Sequence, residues 1–338
     1  MKNQQNRYIS KIEIKGLWNK YDLVWQLNKD VNILSGTNGS GKSTILRCIY
    51  EVLTSYIIED IGNHLQIAIP NTFNLHKEKV DSFTVFLDNN YQIICEIVEN
   101  VTYKSDDLNP TIPKDIRRIR IIDGENKQLY QSEYLQFYNQ LQVNFINTFD
   151  NNISEVVSKI DDNVYTELDK TIFKLQKQYL DYQLNINKRK DEIVDNAPDI
   201  KKAIAELRQP QNRFLEILDT IFAATDKKVK REENEVVFAN GSSIILPYQL
   251  SSGEKQMLVI LMTVLVQDHK PSILLLDEPE ISLHFDWQRK LVSYILELNP
   301  NVQIILATHS PAIIMDGLLD KVTEMSDIIV IENQKSDK

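Results

Sequence analysis

Gly36-Thr37-Asn38-Gly39-Ser40-Gly41-Lys42-Ser43 restricts what this chain can fold into more than any other stretch. Its glycines allow peptide N–H groups to approach a bound group closely, and the Lys-Ser pair follows at phosphate-loop spacing. Such a loop works between a strand and the start of a helix, where free N–H groups and the helix dipole favour an anion. Val31 and Ile33 belong to the strand side, and a helix is expected from Ser43 to about Leu53. Residues 36 to 43, with Thr44, are therefore candidate nucleotide-binding positions. Lys42 is expected to bridge the β and γ phosphates, and the Ser43 hydroxyl to ligate Mg²⁺.

Three later segments supply what a phosphate loop lacks. Ile273-Leu274-Leu275-Leu276 is a continuous apolar run ending in Asp277 and Glu278. Ile304-Ile305-Leu306-Ala307 is a second such run, ending in Thr308 and His309. Runs of this kind fit parallel strands covered on both faces. Asp277 is placed to hold Mg²⁺, directly or through water, and Glu278 to polarise an attacking water. His309 is a candidate hydrogen-bond partner of the γ-phosphate. Glu280, a third acid in the turn after Asp277, reads as mainly structural. Leu250-Ser251-Ser252-Gly253-Glu254 precedes an apolar helix from Met257 to Val266, so its serines suit a helix cap. Their second reading is presentation of hydroxyls and N–H groups to a phosphate.

Between these parts the texture of the chain changes. Residues 8 to 34 alternate apolar and polar, as strands leading into the loop. Strands are also expected at Ser82 to Leu87, Tyr91 to Val98 and Ile116 to Ile122, forming a small antiparallel layer. Leu168, Ile172, Leu175, Tyr179, Tyr182 and Ile186 recur at helical spacing, predicting a helix from about Val164 to Ile193. A second helical stretch is expected from Ile200 to Ala224, broken near Pro210. A thirty-residue helix spans about 45 Å, so the pair forms either a layer on the sheet or a projecting arm. Pro198-Asp199-Ile200-Lys201 reads as a helix start. The organisation is thus 1–152 as the first part of an ATPase domain, 153–226 as a helical insertion or arm, and 227–338 as the second part.

Composition narrows the function classes. The formal net charge is −10, so nucleic acid contact would have to be local. Three clusters are candidates: Lys114, Arg117, Arg118 and Arg120; Lys188, Arg189 and Lys190; and Lys227, Lys228, Lys230 and Arg231. Solvated faces are the plainer reading of all three. No apolar run has the length of a membrane span. The 2 cysteines, Cys48 and Cys95, and the 5 dispersed histidines suggest no zinc site or disulfide framework. A soluble, cytoplasmic setting is expected.

Taken together, the motifs resemble those of ATP-binding-cassette ATPases, in the non-transporter branch that includes RecF, SMC proteins, zinc-hooked break-repair ATPases and OLD-type ATPases. Leu250 to Gln256, with Asp277-Glu278-Pro279-Glu280-Ile281-Ser282-Leu283-His284, closely resembles the OLD-like group. That group includes the ATPase subunits of anti-phage systems such as Septu, PARIS and some retrons. The likeness covers the first 55 residues and about 245 to 315. It implies an ABC-type P-loop fold, bound ATP and Mg²⁺, and a homodimer. Each ATP would lie between the phosphate loop of one copy and Ser251, Ser252 and Gly253 of the other. It further implies a separately encoded effector, such as a nuclease, with DNA or RNA as a possible trigger. His284 stands where transporter cassettes have aspartate, as in the OLD-like pattern. A glutamine loop has no clear match; Gln142, Asn147 and Thr148 are candidates beside a strand at Val143 to Phe149. No Toprim nuclease segment is recognised after His309. DNA repair is the rival function, although no Cys-x-x-Cys hook is present. Transport is disfavoured by the long chain between Lys42 and Gly253.

Overall fold

Runs of consecutive apolar residues in strands need cover on both faces, and the computed structural model places two strands built on such runs at the centre of the core sheet. It describes residues 7–54, 58–61, 64–67, 80–99, 115–147, 164–196, 198–315 and 317–332. In chain order the first strands are β1 (Ile9–Leu17), β2 (Tyr21–Gln26), β3 (Val31–Ser35), β4 (Ile58–Ile61), β5 (His64–Ile67), β6 (Ser82–Leu87), β7 (Gln92–Glu99) and β8 (Asp115–Ile122). The rest are β9 (Val143–Asn147), β10 (Lys228–Val229), β11 (Phe238–Asn240), β12 (Ser243–Ile245), β13 (Ser272–Asp277), β14 (Val302–Ala307), β15 (Val322–Glu324) and β16 (Ile329–Glu332). The longer helices are α1 (Lys42–Thr54), α2 (Gln131–Tyr138), α3 (Glu167–Asn196), α4 (Ile200–Phe222), α5 (Ser252–Leu265) and α6 (Phe285–Leu298).

The core sheet runs β15-β3-β14-β13-β9, and each of its pairings is parallel. Every residue of β13 and β14 is buried, which explains their uninterrupted apolar runs. The strand period divides their side chains between two cores. Ile273, Leu275, Ile305 and Ala307 pack with α1 and the antiparallel sheet. Leu274, Leu276, Ile304 and Leu306 pack with the helices on the other face. The register matches Asp277 with both Ala307 and Asn147, and Ala307 with Leu34. The chain therefore leaves several strands at one common edge.

The antiparallel sheet is larger than the three strands expected there. Its order is β16-β2-β1-β6-β7-β8. β1 and β2 do precede the phosphate loop, but they fold into this second sheet, and only β3 enters the core sheet. Their alternating burial suits a sheet with a single covered face, whereas β3 is buried at all but its last position. Smaller antiparallel sheets are β4-β5 and β10-β11-β12; the last two strands turn at Asn240-Gly241 as expected.

The helical region is mostly a layer. Leu168, Ile172, Leu175, Tyr179, Tyr182 and Ile186 of α3 join the core formed with α5 and α6. α3 and α4 make a hairpin in which Gln211 Nε2 donates to Tyr179 Oη at 2.9 Å. Asp199 caps α4 by accepting from the Lys202 N–H at 3.1 Å, the expected helix start. Between Ile186 and Phe214 no described residue is buried, so only the hairpin tip stands clear. The break expected near Pro210 does not occur: α4 runs unbroken through it. An interior proline costs about 3 kcal/mol. Leu207 on one side, and Phe214, Ile217, Leu218 and Ile221 on the other, all pack on the same core and hold the axis.

Each of the three basic clusters has at least one member paired with an acid. Arg120 meets Glu96, Arg189 meets Asp268, Lys227 meets Glu254, Lys230 meets Glu233, and Arg231 meets Asp219. Lys114 lies outside the described residues, as do Thr148 and residues 153 to 163 of the expected insertion. No helix among the described residues is long and apolar enough to cross a membrane.

Candidate functional site

At the common edge of the parallel sheet, β3 runs into the phosphate loop, which curls back through Gly36, Gly39 and Gly41, all with positive φ. Gly41 is the tightest of these. Its φ is +105°, and a Cβ there would lie 2.7 Å from Cη2 of the Trp18 indole. α1 starts at Lys42, with Ile45 N–H donating to Gly41 O at 2.9 Å.

Lys42 is buried, and its Nζ donates to Gly36 O at 3.0 Å and to Thr37 O at 3.1 Å. Nζ also lies 2.6 Å from His309 Nε2. A protonated lysine can only donate, so Nε2 is the acceptor in this contact. Burial lowers the Lys42 pKa, while the charges of Glu278, Asp277 and Glu280 oppose the shift. A desolvated cation on a loop of free N–H groups is a ready anion site.

β13 and β14 deliver the remaining groups. Ser43 Oγ donates to Asp277 Oδ1 at 2.8 Å. Glu278 has φ +48°, an uncommon left-handed conformation for a side-chain-bearing residue, and its N–H donates to Ala307 O at 2.9 Å. Glu278 Oε1 lies 3.6 Å from His309 Nε2. Lys42, Ser43, Glu278 and His309 line one cleft of about 590 Å³, together with Asn38, Gly39, Gly41 and Thr44. Trp18, Glu280 and Ile281 complete its wall.

The signature residues lie elsewhere. Ser251 caps α5, its Oγ accepting from the Glu254 N–H at 3.4 Å, while Glu254 Oε2 accepts from the Ser251 N–H at 2.9 Å. Ser251 is thus the helix cap expected from the sequence, and Glu254 completes it as a capping box. Ser251 and Ser252 are exposed, and neither they nor Gly253 line the cleft of their own chain. Gly253 abuts the turn after Glu278: a Cβ there would lie 2.2 Å from Ser282 O. Two ion pairs tie the first turn of α5 to the helical region, Glu254 to Lys227 at 2.7 Å and Lys255 to Asp169 at 2.8 Å. His284 is exposed and caps α6, its Nδ1 accepting from the Asp286 N–H at 3.4 Å.

Of the glutamine-loop candidates, Asn147 ends β9 beside Asp277. Gln142 lies at the opposite end of the sheet, its carbonyl accepting from Ile273 N–H at 2.8 Å, and so is remote from the cleft. Sequence reading missed Trp18. The one signal was an aromatic in the turn Gly16-Leu17-Trp18-Asn19, whose Trp18 and Asn19 both have φ +55°.

Mg²⁺ fits the Ser43–Asp277 pair. Among the described residues no group of three or more metal-ligating acids, histidines or cysteines forms a closed cage. One carboxylate and one hydroxyl leave most coordination positions to phosphate oxygens and water, as Mg²⁺ prefers. Burial raises the Asp277 pKa, with Ser43, Arg47 and Lys42 opposing, so its ionised form is disfavoured without a cation. A raised folded pKa means that stability is lost as pH rises through it. Asp277→Asn is therefore expected to unfold at a higher temperature than the parent at neutral pH. That gap should shrink as pH falls through the raised pKa toward the ordinary carboxylate range and be closed below it, while Mg²⁺-dependent protection by ATP disappears at every pH. Thermal scans across pH, with and without MgATP, check both outcomes.

Residues 31–316 match the model of a protein family described as AAA domain, putative AbiEii toxin, Type IV TA system. The chain is 22% identical to the Retron Vc95 probable ATPase of Vibrio cholerae serotype O1 biovar El Tor, over 85% of this chain and 67% of that one. It is 23% identical to the Septu protein PtuA of Bacillus thuringiensis, over 93% and 74% respectively. Among solved structures, the SmcHead bound to the C-winged helix domain of ScpA aligns with a TM-score of 0.48 and 19% identity, covering 91% of each chain. The family match takes in both halves of the cleft and the helical hairpin between them, and the chain belongs to that AAA-domain ATPase family.

Proposed function

We propose that the chain hydrolyses ATP as a Mg²⁺-dependent, cytoplasmic homodimer and uses the cycle to control a separately encoded effector in anti-phage defence. One observation carries the enzymatic part: Lys42, Ser43, Asp277, Glu278 and His309 come from three distant stretches and meet at one edge of the sheet. Residues 36 to 44 would hold the triphosphate, and Trp18, which lines the same cleft, would pack against the adenine. Ser43 and Asp277 would hold Mg²⁺, which supplies charge neutralisation at the phosphates when bound. Glu278 would accept a proton from the attacking water, and His309 and Lys42 would hold the γ-phosphate.

The dimer reading rests on Ser251, Ser252 and Gly253. At a helix start and outside their own cleft, with both serines exposed, they suit the cleft of a second copy. The defence reading rests on the relatives named for a retron and for Septu. The exposed tip of the α3–α4 hairpin is the surface offered to the effector, and nucleic acid is a candidate trigger. The chain itself is proposed to lack nuclease activity. Affinity purification from the native host should recover a stoichiometric second protein. Shortening the hairpin between Lys188 and Arg208 should lose that protein while ATP binding persists. Metal-dependent DNA cleavage by the pure chain, surviving Asp277→Asn, would rule the effector reading out.

A further inference from the structure

Glu280 is the acid of the Asp277–Glu280 turn that the hydrolysis scheme leaves without a task. Its Oε1 accepts from Thr308 Oγ1 at 2.6 Å and from the His309 backbone N–H at 2.7 Å. Oε2 is buried with no hydrogen-bond partner, although the residue lines the cleft. The bond to Oγ1 is one of several that tie the turn after β13 to the loop after β14. Thr308 Oγ1 also accepts from the Ser310 N–H at 2.9 Å. Ser310 Oγ donates to Gln288 Oε1 at 2.6 Å, and Gln288 Nε2 donates to Glu280 O at 3.3 Å. Thr308 is fully buried, so losing its acceptor would strand a hydroxyl.

We propose that Glu280 is a positioning residue for His309, its carboxylate gripping the peptide that carries the imidazole into the cleft. This rests on the role proposed for His309 above. The grip matters because His309 Nε2 lies 2.6 Å from Lys42 Nζ and 3.6 Å from Glu278 Oε1, where a small backbone shift breaks the arrangement. Two donors converge on a single oxygen, so acceptance at Oε1 is the essential property. An amide oxygen placed there keeps it, whereas a methyl group does not.

The test is a mutant cycle read by steady-state ATP hydrolysis on the full chain. Glu280→Ala should lower kcat about tenfold or more, the scale of a lost charge-assisted contact, with KM for ATP changed less than about threefold. Glu280→Gln should return kcat to within about threefold of the parent, because its Oε1 remains. In a His309→Ala background, Glu280→Ala should cost less than about twofold more, since residues acting through one group are non-additive. Multiplicative losses, or a Glu280→Gln as impaired as Glu280→Ala, would overturn the proposal and assign Glu280 a charge role of its own. If Glu280→Ala does not fold, Thr308→Val takes its place in the cycle, with the same cancellation expected and independence again fatal. Full activity in His309→Ala overturns both this inference and the role given to His309. Full activity in Glu280→Ala, with His309→Ala impaired, overturns this inference alone.

Discussion

Glu278→Gln is expected to lower ATP turnover about 10²-fold or more, the scale of losing a general base, while ATP stays bound. The amide has the shape of the carboxylate and can keep the φ +48° backbone, which the Ala307 carbonyl holds through the Glu278 N–H. What disappears is the capacity to accept a proton. The carboxylate also raises the Lys42 pKa more than any other group does, so its removal slightly loosens the charge on that lysine. Phosphate release and nucleotide retention after gel filtration separate the two effects. Wild-type phosphate release in this variant would remove Glu278 from the chemistry. Loss of bound ATP would place it in binding.

Mixing Lys42→Ala chains with Ser252→Arg chains is expected to restore hydrolysis that neither parent shows. Each mixed head-to-tail dimer would carry one composite site with an intact phosphate loop and intact serines. The other site would carry both lesions. With random pairing, about a quarter of the unsubstituted activity should return if the two sites act independently. Ser252 is exposed at the first turn of α5, so an arginine there fits the isolated chain and obstructs only an interface. No recovery above the parents, in mixtures shown by mass to contain the mixed dimer, would count against the shared site. Dimer mass should also rise with ATP in Glu278→Gln, because a ligand spanning two subunits stabilises their association.

Much of the site was legible before the fold. The phosphate loop, Asp277, Glu278 and His309 stand in short contiguous motifs at strand ends, and both the motif and the apolar run before it are local properties. α3 was legible within a few residues at each end because its core-facing positions follow the helical period. The unbroken course of α4 past Pro210 was not. Local chemistry predicts a break there, and only packing on both sides of the proline outweighs it.

What the sequence determined by itself is the set of chemical groups, the α/β class and the approximate helices, since each depends on neighbours along the chain. Tertiary structure alone decided which groups meet. The parallel register that matches Asp277 with Ala307 brings Glu280 to the His309 peptide across 29 positions of chain. The assignment of β1 and β2 to the second sheet is what lays Trp18 against Gly41. Ser251 and Ser252 were left outside the cleft by the same rule, because contacts between distant segments follow from strand order and burial, which no local pattern encodes.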